Sequence, residues 1–104
     1  MRLPVRPTAI FCGSDILAAG AIKYCGEVGI SVPQDVSIIG FDNLEIAELT
    51  TPELTTLEVP ARDMGRLAAD YVLASPLQRK HLKDHELPIR LVVRGSSGPA
   101  LRRG

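Results

Sequence analysis

Aromatic residues are scarce in this 104-residue chain, which has two Phe, two Tyr and no Trp. A domain of this length buries roughly two thirds of the surface its unfolded chain exposes, so the burial has to come from Ile, Leu, Val and Ala. Charge of one sign is lacking too. Twelve Lys and Arg balance twelve Asp and Glu, and the basic residues are scattered, which excludes the basic face of a nucleic-acid-binding segment. No apolar run approaches the roughly 20 residues a membrane helix needs. The opening MRLPVRPT has no apolar signal-peptide core, so a cytoplasmic protein without membrane contact is expected.

The motifs of catalysis are also missing. There is no G-x-G-x-x-G, Walker loop, nucleophile elbow or C-x-x-C pair, which argues against an enzyme and against a bound cofactor. Cys12 falls in an apolar run and Cys25 on an apolar helix face, the setting of small buried hydrophobes rather than of a disulfide. His81 and His85 are four apart in HLKDH, but Leu82 stands where a metalloprotease has its Glu. With no third ligand at a recognisable spacing they read as solvated histidines, and no metal site is expected.

What is present begins at Pro7 and runs to Asn43. Thr8 to Cys12 is a short apolar run between Pro7 and Gly13, a buried strand. Ser14 and Asp15 are capping types, and Leu17, Ala21, Cys25 and Val28 then recur at three- and four-residue intervals up to Gly29. Val36 to Phe41, VSIIGF, is apolar at nearly every position and reads as a central strand. Two strands joined by a helix are parallel, so their carboxyl ends open on one edge. The class is α/β.

Further on, Leu44 to Leu49 suits one or two helical turns, and the stretch through Val59 is extended. Pro60 suits the first position of a second helix, with Met64, Leu67, Ala68, Tyr71 and Val72 on one face and Arg66 and Asp70 paired on the other. Ser75, before Pro76, should end it. QRKHLKDHE reads as a charged loop, Leu87 to Arg94 as a strand near a sheet edge, and residues 95–104 as a disordered tail.

Ligands of open parallel sheets bind outside the carboxyl ends of the strands. Ser14 and Asp15 follow the first strand there, and Asp42 and Asn43 follow the second. A carboxylate such as Asp42 accepts two hydrogen bonds from vicinal hydroxyls or ring N–H groups, each worth about 1.5 to 3 kcal/mol. The spacing alone leaves a plainer reading open, in which Ser14 or Asp15 caps the helix and Asp42 starts a turn.

Five segments in this order, PTAIFCGSDILAAGAI, VPQDVSIIGFDN, LTTPELTTLEVP, MGRLAADYVL and LVVRGSSGP, closely resemble the C-terminal part of LacI-family transcriptional regulators. The resemblance implies a type I periplasmic-binding-protein-like effector domain, of which this chain supplies a C-terminal fragment with a partial doubly wound parallel sheet. Residues 8–58 and 87–94 would belong to the C-terminal subdomain, the helix at 60–75 to the N-terminal one, and residues 56–60 to a crossover. It also implies a small-molecule effector, a sugar or similar, a homo-oligomer, and operator DNA held through a helix-turn-helix that this segment lacks. Effector contact would fall on Asp42 of GFDN and on Ser14, which replaces the family's usual Asn. Asp15 and Asn43 would support the loop and helix start. Val59 stands where relatives often carry Gln, so one polar contact is not carried over. A solute-binding protein of a sugar transporter with the same fold is the competing reading.

Overall fold

The computed structural model describes residues 5–80, 83–100 and 102. The elements run β1 (Ala9–Phe11), α1 (Asp15–Glu27), β2 (Ser37–Ile39), a 3₁₀ turn (Glu45–Glu48), β3 (Thr56–Glu58), α2 (Ala61–Leu73), α3 (Pro76–Arg79) and β4 (Arg90–Val92). The chain divides into two compact units, Met1–Glu58 with Leu91–Gly104, and Val59–Arg90.

In the first unit β1 and β2 are parallel, with Ala9 opposite Ser37 and Phe11 opposite Ile39. The 13-residue α1 makes the crossover that a parallel pair requires. The other edge of β2 is occupied as well: Ile39 bridges Thr55 in parallel, the Gly40 N–H donates to Thr55 O, and the Ile38 N–H donates to Ser96 O. β2 is therefore central, although regular pairing with β1 covers only residues 37–39 of the expected 36–41. β3 and β4 form a separate two-stranded ladder, with β4 shorter than the expected 87–94.

The core consists of Ala18, Ile22 and Cys25 on α1 with Ile30, Val36, Ile38, Ala47 and Leu54, and contains no aromatic ring. Burial pushes the Cys12 and Cys25 thiols above their ordinary pKa, and both cysteines are free. The buried stripe of α1 runs through Asp15, Ala18, Ile22 and Cys25, not through Leu17 and Val28, which are 64% and 48% exposed. Periodicity misplaced the stripe because α1 is apolar on two sides, and the polar Asp15 lies on the buried one. The helix ends as expected: Gly29 takes a left-handed φ of 76°, and the Ile30 N–H closes back on Cys25 O.

Two boundaries in the second unit differ from expectation. Pro60 is the N-cap of α2 rather than its first turn, and α2 stops at Leu73, two residues before Ser75. Ser75 instead opens α3 with a capping box, accepting from the Gln78 N–H while the Gln78 side chain accepts from the Ser75 N–H. That reciprocal pair outweighs continuing α2 into Pro76. Arg66 pairs with Asp63 at 3.9 Å rather than with Asp70, an exposed contact worth little. No residue of α2 is buried, and Met64, Tyr71 and Val72 of its apolar face are exposed.

The disordered tail needs correction at its start. Ser96 is fully buried; its hydroxyl donates to Ile38 O and accepts from the Thr55 N–H at 2.8 Å. Ser97 bonds the Thr55 hydroxyl at 2.7 Å, and the Gly98 N–H donates to Ser37 Oγ at 3.0 Å. Small polar residues that suggest disorder in isolation serve here as a hydrogen-bonded plug along β2. Leu101, Arg103 and Gly104 lie outside the described residues, as does His81 of the histidine pair. Among the described residues no cluster of three or more metal-ligating side chains occurs, and no helix is long and apolar enough to cross a membrane.

Candidate functional site

The carboxyl ends of β1 and β2 meet through the backbone. The Asp15 N–H donates to Phe41 O at 3.1 Å, which sets the first turn of α1 against the loop carrying Asp42. Such close approach needs Gly40. A Cβ built there would overlap Asp15 Oδ1 and stand 2.8 Å from Leu54 Cδ2 and 3.2 Å from Asp15 Cα. Glycine in GFDN therefore has a steric cause.

Ser14 and Asp15 divide the work differently from the simplest reading. Ser14, in extended backbone, caps α1 by accepting from the Leu17 N–H at 3.2 Å. Its hydroxyl hydrogen is still available to an acceptor. Asp15 makes no cap: it is fully buried, with Oδ2 accepting from the Leu44 N–H at 2.6 Å and Oδ1 from the Thr56 hydroxyl at 2.5 Å. It organises the loop, tying residue 44 to β3 from the floor of the site.

Asp42 and Asn43 both have positive φ, 110° and 56°. Asn tolerates the second value readily, whereas 110° is a sparsely populated conformation for a residue with a Cβ. The strain is held in place by hydrogen bonds. The Asp42 N–H donates to Leu57 O at 2.8 Å, the Asn43 N–H to Thr56 Oγ1 at 3.4 Å, and the Asn43 side chain to Glu58 Oε2 at 3.3 Å. The Asp42 side chain is exposed and makes no hydrogen bond or ion pair within the described residues. The carboxylate of this strained residue is unused by the fold and leaves its acceptor oxygens free at the loop surface.

The sequence reading missed Arg94, Thr55, Thr56 and Ser96. Thr55, Thr56 and Ser96 are buried polar residues with satisfied partners, and among the described residues no buried side-chain nitrogen or oxygen is left without one. Arg94, 12% exposed at its side chain, donates to Leu54 O at 2.9 Å and to Asn43 Oδ1 at 2.8 Å. A Thr-Thr pair between Leu54 and Leu57 and an Arg ending an alternating strand were the available signals; both are ordinary edge-strand patterns and name no partner.

Residues 1–97 match the periplasmic binding protein-like domain. The repressor CytR of Escherichia coli K12 is 39% identical over 99 residues, covering 93% of this chain and 29% of CytR. A structure of the Lac repressor bound to ONPG superposes with a TM-score of 0.75 at 31% identity, over 88% of this chain and 28% of that one. A LacI-family regulator from Lactobacillus casei with bound sucrose gives a TM-score of 0.70 at 33% identity, over 89% of this chain and 34% of that one. The chain thus spans less than a third of the length of the curated relative, and similarity covers the β1–α1–β2 framework together with the GFDN loop. The chain belongs to the periplasmic binding protein-like domain family and is homologous to the LacI-type transcriptional regulators.

Proposed function

We propose that this chain is the effector-binding and self-associating segment of a LacI-type transcriptional regulator, in which a small polyhydroxy molecule, a sugar or related compound, controls operator binding by the full-length protein. The observation that carries the reading is the Asp42 carboxylate, strained in backbone, exposed, and unpartnered at the edge where two parallel strands end. Ser14, the α1 cap that follows the neighbouring strand at the same sheet edge, offers a hydroxyl as a second polar group. The bound sucrose of the Lactobacillus casei relative supports a ligand of this chemistry. Kinship to repressors, none of them catalysts by name, disfavours both a transport protein and an enzyme.

Within this reading residues 8–58 and 87–94 form part of one subdomain and residues 60–75 a helix of the other, with the crossover at 56–60 serving as hinge. Operator contacts belong to another domain of the regulator, since this segment has no charge excess. The protein would act in the cytoplasm. An effector that prefers one closure of the cleft shifts the regulator between states of different operator affinity, by no more than its own difference in affinity for them. Self-association is supported by two separate features of the first unit: the second apolar side of α1, where Leu17, Tyr24 and Val28 are exposed, and, on a different side of that helix, a groove of about 380 Å³ lined by Ile22, Lys23, Gly26, Ile46 and Leu49. In the full-length protein Asp42→Ala should abolish the effector response and leave operator binding intact. Unchanged effector affinity by calorimetry overturns the assignment.

A further inference from the structure

The loop that presents Asp42 is fastened by a second set of hydrogen bonds, joined to the Asp15 floor through the Asn43 N–H on Thr56 Oγ1. Arg94 lies two residues beyond β4, and its guanidinium fork spans two acceptors, Nη1 on Leu54 O at 2.9 Å and Nη2 on Asn43 Oδ1 at 2.8 Å. The Arg94 N–H is anchored on Thr55 Oγ1 at 2.9 Å, and Glu48 Oε1, exposed, stands 3.7 Å from Nη2. Asn43 passes the fastening on, because with its oxygen held by Arg94 its amide nitrogen is turned to Glu58 Oε2 at 3.3 Å. One side chain is thereby bonded to the end of β3 and to the second residue after β4. Its own backbone sits at φ 56°, immediately after the strained Asp42.

We propose that Asn43 and Arg94 are positioning residues for Asp42: the Arg94 guanidinium locks the Asn43 amide, and the locked amide holds the left-handed loop that aims the Asp42 carboxylate at a hydroxyl-bearing ligand. The inference rests on the effector role of Asp42 and adds to it the two groups that fix its geometry. A planar fork with two donors on different nitrogens is what the site uses, and a lysine, whose donors all sit on one tetrahedral nitrogen, does not reproduce that geometry. Asn43 is likewise more than a left-handed residue. Its side chain uses both ends of the amide, one as acceptor and one as donor.

Hydrogen exchange of the Asp42 and Leu44 amides in the full-length protein tests this without any ligand. Both N–H groups bond away from Asn43, to Leu57 O and to Asp15 Oδ2, so they report loop geometry rather than the altered side chain. Asn43→Gly accepts φ 56° freely and removes only the side chain, Arg94→Lys keeps the charge and loses the fork, and the double variant joins them. Each single substitution should speed exchange at both amides at least tenfold and leave the Ile38 amide of β2 unchanged, and the double should fall well short of the product of the singles, because both break the same bond. Exchange within twofold of the wild type in Asn43→Gly, equal acceleration at Ile38, or a double that equals the product overturns the proposal. Retained effector response in Asp42→Ala refutes the ligand role while leaving the amide pattern intact, so the two failures are distinct.

Discussion

Asp42→Gly separates the two things that residue 42 does. At φ 110° a side chain with a Cβ costs on the order of 1 to 3 kcal/mol, and glycine relieves it. Glycine also releases more backbone freedom on unfolding, a penalty of about 0.5 to 1 kcal/mol. The Asp42 N–H bond to Leu57 O survives the change, and no side-chain bond is lost. The balance runs from about zero to a gain of about 2.5 kcal/mol, centred on about 1, which at a urea dependence of about 2 kcal/mol per M raises the unfolding midpoint by about 0.5 M and at most about 1.2 M. Asp42→Ala is the reference, since it keeps the Cβ and removes the same carboxylate. Urea unfolding of the three proteins, followed by circular dichroism, should rank Gly above Ala, with Ala close to the wild type. Both variants should lose the effector response. Should Gly prove less stable than Ala, any backbone strain at residue 42 is smaller than glycine's entropic penalty, below the roughly 1 kcal/mol invoked for it, and the strained-loop reading fails.

Two other substitutions test neighbouring parts of the reasoning. Gly40→Ala forces a methyl group against Leu54 and the Asp15 carboxylate, at about 1 to 3 kcal/mol for overpacking plus about 1.5 to 3 for each Asp15 hydrogen bond displaced. Destabilisation of about 3 kcal/mol or more in urea is expected, and a loss under about 1 kcal/mol would show that the start of α1 yields freely. Leu49→Glu puts a charge on a side chain that is 77% exposed on the rim of the α1 groove, so the fold should be untouched by circular dichroism while sedimentation velocity moves to the monomer. An unshifted oligomer places self-association elsewhere.

Local rules sufficed where one residue decides one feature. Ser14 and Gly29 mark the ends of α1 because capping and left-handed closure depend on those residues alone. The alternation of short apolar runs with one helical run was enough to place β1 and β2 in parallel, and with them the edge on which Asp42 stands. The buried face of α1 was not legible, because a helix apolar on two sides offers periodicity no contrast, and the stripe that packs includes a carboxylate. Ser96 was illegible for a related reason. SSGP is a loop composition, and its burial depends on Ile38 and Thr55, more than 40 residues away in sequence.

The buried side chains at the strand ends are polar where apolar packing would have been the simpler solution. Asp15 carries a carboxylate into a fully buried place with two neutral donors and no cation bonded to it. Desolvating such a group costs several kcal/mol, and two charge-assisted hydrogen bonds return about 3 to 6 kcal/mol, so little net stability can be ascribed to it. What the carboxylate does supply is two directed acceptors. One takes the amide of Leu44, just past the left-handed pair, and the other takes the hydroxyl of Thr56, whose oxygen in turn accepts from the Asn43 amide. An apolar residue of the same volume would leave that amide and that hydroxyl without an acceptor, and the loop would lose the two bonds that tie Leu44 and Thr56 together beneath Asp42 and Asn43. The buried charge at residue 15 and the exposed one at residue 42 are thus parts of a single arrangement, in which the first fixes the geometry that the second presents.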